Sequence, residues 1–209
     1  VSIDWSKEPI GTSEAVINVK AGKSRFDVKL SLWNPSAAER AAITGFVETN
    51  GYISMESVSF SKLNETEEIN WMVIPDIGRT LDGILPQPYL VNDQIPGQGP
   101  SIEYQVHLRS TGKVKVYAYF SPTLNYPGGE GLKYAMSFND DAPQVVNVHA
   151  DESMREWDRL VSANINIKST EHVISEPGNH TLKFHMVSPG LVLQKIVIDA
   201  GGLKQTYLG

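Results

Sequence analysis

The chain has 209 residues, a net charge of −6 and a pI near 5.4, and 41% of its residues are hydrophobic while 20% are charged. This composition is typical of a globular protein and disfavours a nucleic-acid partner, because phosphate binding needs clustered Lys and Arg. The absence of Cys excludes disulfides, thiolate nucleophiles and Cys-ligated zinc. No apolar run approaches the roughly 18 residues of a membrane span. The sequence therefore predicts neither nucleic-acid nor membrane association.

Residues 1–43 are predicted to form a small β-hairpin region followed by a linker. Two stretches of alternating residues flank the turn Ala21-Gly22-Lys23, namely "EAVINVKAG" and "RFDVKLSLW". Such alternation around a Gly-containing connection is typical of a hairpin. The segment "NPSAAERAAITG" that follows is polar and rich in Ala, and it lacks a sustained apolar stripe. It is predicted to be a linker that includes one helical turn.

Residues 44–209 are predicted to form an all-β domain. Eight alternating segments follow one another, separated by turns rich in Gly, Pro, Asn and Asp: "YISMESVSF", "NWMVIP", "SIEYQVHL", "KVKVYAYF", "KYAMSFN", "QVVNVHA", "HTLKFHMV" and "VLQKIVIDA". Short strands at this spacing indicate a β-sandwich of jelly-roll or carbohydrate-binding-module type.

One segment of this domain has helical rather than strand periodicity. In "DESMREWDRLVSANI" the apolar residues Met154, Trp157, Leu160 and Val161 share one face of a helix of about three turns, and acidic residues precede them. The sandwich is therefore predicted to carry one short helix, with Trp157 directed into the core.

No catalytic residue is predicted. The adjacent acids Asp140 and Asp141 would point to opposite faces of a strand, so they cannot flank one glycosidic bond and are better explained as a turn. The five His residues show no metal-binding spacing, and no Gly-x-Ser-x-Gly motif is present.

Aromatic residues near loops are the best candidates for ligand binding. Sugar rings present apolar faces that stack on aromatic side chains, while polar neighbours bond the hydroxyl groups. Tyr126, with Asn125 beside it in the loop "PTLNYPGGEG", is the strongest candidate for an exposed contact. Tyr119 and Trp71 complete the predicted ligand-binding set.

Long ordered segments of the chain resemble the C-terminal domain of family 115 glycoside hydrolases, the xylan α-1,2-glucuronidases. They are "ITGFVETNGYISMESVSF", "WMVIPDIGRTLDG", "YFSPTLNYPGGEGLKYAMSFNDDAPQVVNVHA" and "PGNHTLKFHMVSPGLVLQKIVIDAGGLKQTYLG". The resemblance covers roughly residues 44–209 and includes the tail Tyr207-Leu208-Gly209. Residues 1–35 resemble part of an immunoglobulin-like module. The chain is thus expected to be the terminal part of a larger bacterial enzyme, in the periplasm or outside the cell.

In the family, removal of 4-O-methylglucuronic acid from xylan is assigned to an upstream barrel domain. The resemblance therefore implies a non-catalytic accessory domain that supports architecture, oligomerisation or substrate approach, with the upstream catalytic domain as its partner and a homo-oligomer as a further option. Two alternatives stay open: a carbohydrate-binding module for glucuronoxylan or a related plant polysaccharide, and an independent hydrolase.

A calcium site is implied by a second resemblance. "GYISMESVSF" is similar to the opening strand of calcium-containing sugar-binding sandwiches, in which two Glu residues and a late-strand Asp supply oxygen ligands. Glu56 matches the first Glu and Asp199 the late Asp, whereas Val58 replaces the second Glu. Apart from this calcium ion, no cofactor is expected.

Overall fold

A computed structural model describes residues 2–151 and 153–204. The tail Tyr207–Gly209, which the resemblance includes, lies outside the described residues. The chain divides into two compact units, Val1–Ile43 and Thr44–Gly209.

The first unit is a two-stranded hairpin with a short helix. Strand β1 (Gly11–Ala21) pairs antiparallel with β2 (Ser24–Asn34), and Gly22 in the connecting turn has a φ of +61°, which suits a residue without a Cβ. Helix α1 (Ala37–Ala42) replaces the expected linker. Its formation is explained by a capping box, because the Ser36 hydroxyl accepts from the Glu39 amide while the Glu39 carboxylate accepts from the Ser36 amide.

The second unit is a β-sandwich of two six-stranded sheets, which confirms the predicted all-β class. The first sheet has the order β11-β10-β13-β8-β3, with β5 also paired to β8; its strands are β3 (Phe46–Val47), β5 (Lys62–Asn64), β8 (Ser101–Leu108), β10 (Lys133–Phe138), β11 (Gln144–Asn147) and β13 (Gly178–Met186). The second sheet has the order β12-β9-β14-β7-β6, with β4 also paired to β14; its strands are β4 (Tyr52–Glu56), β6 (Asn70–Ile74), β7 (Gly83–Gln87), β9 (Gly112–Phe120), β12 (Asn166–Ile174) and β14 (Leu193–Asp199). All pairings are antiparallel except that of β3 with β8.

An apolar core fills the space between the sheets. Alternate residues of β8 (Ile102, Tyr104, Val106 and Leu108) are completely buried, as the period of two requires. An aromatic cluster joins the sheets at one end: Phe120 of β9 lies 4.9 Å from Tyr134 of β10 and 6.1 Å from Phe184 of β13 between ring centroids. The predicted strand segments thus account for most of the core.

Two crossovers between the sheets lie at the same end of the sandwich. Residues 121–132 connect the end of β9 to the start of β10, and residues 148–165 connect the end of β11 to the start of β12. In the ladders, Lys133 pairs with Asn147, and Phe120 pairs with Asn166. The end of each strand therefore lies beside the start of its neighbour, so the two crossovers are adjacent. The second crossover contains helix α2 (Met154–Ala163), the helix that the sequence predicted.

Candidate functional site

A cleft of about 730 Å³ lies between the two crossovers. Its apolar lining comes from both segments, and polar side chains stand between the apolar ones. The lining residues that matter for chemistry are Leu124, Asn125, Tyr126, His149, Asp151, Ser153, Met154 and Trp157. Apolar surface with a few convergent polar groups is typical of a ligand site.

Tyr126 has a fixed position at the rim of the cleft. Its hydroxyl donates a 2.7 Å hydrogen bond to the backbone oxygen of Tyr89, and its ring fits against Gly190, where a Cβ would come within 2.6 Å of the Tyr126 oxygen. Burial, assisted by the nearby Asp93 carboxylate, raises the pKa of Tyr126, so that the hydroxyl stays a donor. The residue nevertheless remains 45% exposed. A rigid, accessible ring is suited to stacking, because little side-chain entropy is lost on binding.

His149 joins the two ends of the first crossover. Its Nδ1 accepts from the Leu132 amide at 3.0 Å, so its Nε2 carries the proton and donates to the Thr123 carbonyl oxygen at 2.7 Å. Both ring nitrogens are therefore occupied by backbone groups. His149 shapes the cleft, but it offers no free nitrogen for metal binding or proton transfer.

Helix α2 presents three apolar side chains to the cleft, those of Met154, Trp157 and Leu160. Ser153 caps the helix by accepting from the Glu156 amide at 3.2 Å, and Asn164 ends it in the left-handed conformation. Leu160 is buried, Trp157 is half-buried against the cleft, and Met154 is exposed. The expectation that Trp157 belongs to the core is wrong, because the strands already fill the space between the sheets.

Asp151 carries the one carboxyl group among the described residues that line the cleft. Its Oδ1 accepts from the Ser153 amide at 2.9 Å. Hydrogen bonds from Ser153 lower the pKa of Asp151, assisted by the charge of Lys168, so the group is anionic at neutral pH. Glycoside hydrolysis uses two carboxyl groups on either side of one bond, and the described lining does not supply that pair.

A model of the glycosyl hydrolase family 115 C-terminal domain matches residues 45–209. The chain belongs to this family. Comparison with curated proteins finds no match. In the described part of this family 115 chain, neither helix has the length and apolar character needed to cross a bilayer.

Solved structures similar to the family 115 chain include a sugar-cleaving enzyme and isolated sugar-binding modules. A family 115 4-O-methyl-α-glucuronidase with specificity for decorated arabinogalactans is 15% identical over 66% of this chain, with a TM-score of 0.51. The match covers 17% of that enzyme, so the chain spans a small part of its length. The C-terminal family 6 module of a laminarinase from Zobellia galactanivorans is 13% identical over 71% of this chain and 98% of its own, with a TM-score of 0.47. A family 35 module from Clostridium thermocellum is 10% identical over 70% and 96%, with a TM-score of 0.45.

Two of the four residues predicted to contact a ligand lie in the cleft of the family 115 domain. Tyr126 and Asn125 both line it. Tyr119 is 5% exposed and packs with Ile165 in a small cluster away from the main core. Trp71 belongs to the main core, and its indole nitrogen donates to the Asn64 carbonyl oxygen at 3.2 Å. The structure therefore does not bring the four side chains together.

Six of the cleft residues named above were not predicted as ligand contacts from the sequence: Leu124, His149, Asp151, Ser153, Met154 and Trp157. One signal in the sequence could have identified Trp157. It lies on an apolar helical stripe, while the strands of the domain already supply enough apolar residues for a core. A helix that the core does not need has its apolar face free for another surface.

The two residues predicted to bind calcium are far apart in the ladder of β4 and β14. Glu56 pairs with Lys195, whereas Asp199 pairs with Tyr52, which is a separation of four residues, or about 13 Å along a strand. The Glu56 carboxylate accepts from the Thr80 hydroxyl at 2.9 Å and pairs with the Lys195 ammonium at 3.3 Å. Asp199 accepts from the amides of two residues in the following turn. These surroundings do not fit one ion shared by both carboxylates.

No group of three or more metal-binding side chains occurs in residues 2–151 and 153–204. Calcium binding by the family 115 domain therefore stays a prediction. The described residues contain no set of side chains that supports it.

A second cleft, of about 460 Å³, lies over the outer face of the first sheet. Its lining includes Glu103, Ser137, Lys183 and His185, and none of the described lining residues is Phe, Tyr or Trp. His185 Nε2 lies 2.9 Å from the Ser137 hydroxyl. Burial, assisted by the Lys183 charge, lowers the pKa of His185 to about 4, so the imidazole is neutral. Without an aromatic platform, this cleft is a weaker sugar candidate than the one beside Tyr126.

Proposed function

We propose that residues 44–209 form a non-catalytic sugar-binding domain within a longer family 115 glycoside hydrolase, and that the cleft beside Tyr126 holds a plant polysaccharide. The observation that carries this proposal is the lining of that cleft, in which Tyr126 and Trp157 lie among polar side chains. The C–H face of a pyranose packs on such rings in water, and hydroxyls bond the neighbours Asn125, Asp151 and Ser153.

The proposed role is binding rather than hydrolysis because the described cleft lining offers a single carboxyl group. Bond cleavage would be performed by the upstream catalytic domain of the parent enzyme, which is the proposed partner. The similar family 115 structure is a 4-O-methyl-α-glucuronidase with specificity for decorated arabinogalactans. We therefore extend the candidate substrates from glucuronoxylan to arabinogalactan with similar branches.

The proposed location follows from the ligand. Plant polysaccharides are met outside the bacterial cytoplasm, so the parent enzyme would act in the periplasm or outside the cell. A chain without Cys is compatible with either compartment.

A second role, packing against other parts of the parent enzyme, is favoured by exposed apolar side chains after β7. Tyr89, Leu90 and Ile95 are 53%, 76% and 63% exposed. Clustered exposed apolar residues are typical of contact surfaces. This role and sugar binding use different residues, so the titration below separates them.

Tyr126→Ala should weaken oligosaccharide binding about ten-fold, because the change removes the exposed ring on which a sugar would stack. The measurement is calorimetric titration of the 209-residue chain with xylohexaose and with arabinogalactan oligosaccharides up to millimolar concentration. Tyr126→Phe should retain binding, since it keeps the ring and loses only the hydroxyl, which donates to the backbone oxygens of Tyr89 at 2.7 Å and Pro189 at 3.4 Å.

The matched control is Tyr89→Ala, which removes another exposed tyrosine that is not part of the described cleft lining and leaves the backbone acceptor of Tyr126 in place. Thermal melting of each variant checks that the domain stays folded. Absence of any binding heat by the unmodified chain would favour the packing role. Release of glucuronic acid by the chain alone would instead indicate an independent hydrolase.

A further inference from the structure

We infer that the cleft beside Tyr126 selects the uncharged backbone of the polysaccharide and excludes sugars that carry a carboxylate. This inference rests on the proposed function, since it specifies which part of a branched polysaccharide the sugar-binding cleft accepts. Glucuronate branches are anionic at neutral pH, whereas the xylose or galactose units of the backbone are neutral. The charges in and around the cleft distinguish the two.

The described lining of the cleft carries a negative formal charge and no positive one. Asp151 is the charged residue, and it is held anionic by the 2.9 Å hydrogen bond from the Ser153 amide. His149 does not balance it, because its two nitrogens are bonded to the backbone at Leu132 and Thr123 as a neutral ring. A uronate in the cleft would thus meet a like charge, without a cationic partner among the described lining residues.

Two basic side chains near the cleft, Arg159 and Lys133, are paired with carboxylates. Arg159 makes two hydrogen bonds to the Glu156 carboxylate, at 2.8 and 2.6 Å. Lys133 pairs with Glu130 at 2.6 Å.

Two further cations lie on or just after the second crossover: the charge of Lys168 acts on both Asp151 and Glu156, and Arg155 stands on helix α2 between Met154 and Trp157, outside the described lining. The Asp93 carboxylate is close enough to Tyr126 to help raise the pKa of its hydroxyl, after burial as the main cause. The negative charge is therefore a property of the described lining itself, and the whole chain carries a net charge of −6.

A neutral pyranose meets favourable groups in the same place. Its ring can pack on the apolar surface of Tyr126 and Trp157, while its hydroxyls donate to the Asp151 carboxylate. The cleft would then hold an undecorated stretch of backbone and leave a branch in solvent. Removal of uronate branches by the parent enzyme lengthens such neutral stretches, so binding would strengthen as the reaction proceeds.

The test is a set of titrations of the 209-residue chain with three matched ligands. The first is unbranched xylohexaose. The second is xylohexaose with one glucuronate branch on the part of the oligosaccharide that occupies the cleft. The third carries the same branch with its carboxyl group reduced to an alcohol. We expect the acidic ligand to bind about five-fold more weakly than the other two at low salt, and the difference to shrink as salt screens the charges.

Asp151→Asn should reduce the difference in affinity between the acidic ligand and the carboxyl-reduced ligand. The control is Asp141→Asn, which makes the same change of net charge at the opposite end of β10, beyond Phe138.

Equal or tighter binding of the acidic ligand would overturn the inference while leaving the proposed function in place. Equally weak binding of the acidic and the reduced ligand would also overturn it, because bulk rather than charge would then be excluded. If none of the three ligands binds, the proposed function fails and the inference fails with it.

Discussion

Phe120→Ala should lower the free energy of unfolding by about 3–5 kcal/mol, which is the usual cost of deleting a fully buried aromatic ring. The Phe120 ring is 1% exposed and contacts Tyr134 at 4.9 Å and Phe184 at 6.1 Å between centroids, so it links the two sheets. Phe120 and Tyr134 also flank the crossover that carries Tyr126. Urea unfolding of the chain, followed by tryptophan fluorescence, measures the change.

Two controls define this result. Phe120→Leu should cost less, since a smaller cavity remains. Leu90→Ala should stay within about 0.5 kcal/mol of the unmodified protein, because Leu90 is 76% exposed. A loss below about 1 kcal/mol for Phe120→Ala would contradict the placement of this ring between the sheets.

Stability should fall as the pH decreases from about 6.5 to about 4, and His185 should supply roughly 3 kcal/mol of that loss. Burial is the main cause that lowers the pKa of His185 to about 4, and Lys183 adds to it while Glu103 opposes it. The unfolded chain therefore binds a proton in this pH range before the folded chain does. The full contribution is present above pH 6.5 and is lost once the pH falls below about 4.

His185→Gln should flatten this part of the stability profile, because glutamine can still bond the Ser137 hydroxyl but does not titrate. A smaller slope should remain from His172, whose pKa is also lowered by burial and is partly restored by Asp141. Urea unfolding at half-unit pH steps gives both profiles. An unchanged slope in His185→Gln would contradict the burial of a neutral imidazole at this position.

The strands and the sandwich could be predicted because alternation and turn residues are local signals. The hairpin around Gly22 and the helix that contains Trp157 were predicted for the same reason. Helix α1 was predicted only as one helical turn within a linker because its apolar stripe is absent, although the capping pair Ser36 and Glu39 was present in the sequence. Capping, rather than burial, explains why this short helix forms.

The composition of the cleft could be predicted only in part. Tyr126 and Asn125 lie in a Gly- and Pro-rich loop, so exposure could be expected. Tyr119 and Trp71 lie on strands, where the sequence does not show which face another segment covers. Ile165 covers Tyr119 in the folded domain, and Trp71 packs near Phe184 at 6.2 Å between ring centroids.

The most direct test of sugar binding at this cleft is an NMR titration of the four tryptophan indole N–H signals with xylohexaose. The chain contains Trp5, Trp33, Trp71 and Trp157, and Trp157→Phe identifies the signal of the cleft. We predict that the Trp157 signal shifts in a saturable way while the signal of the buried Trp71 stays in place. Saturable binding that leaves the Trp157 signal unchanged would contradict the assignment of the sugar site to the cleft between the two crossovers.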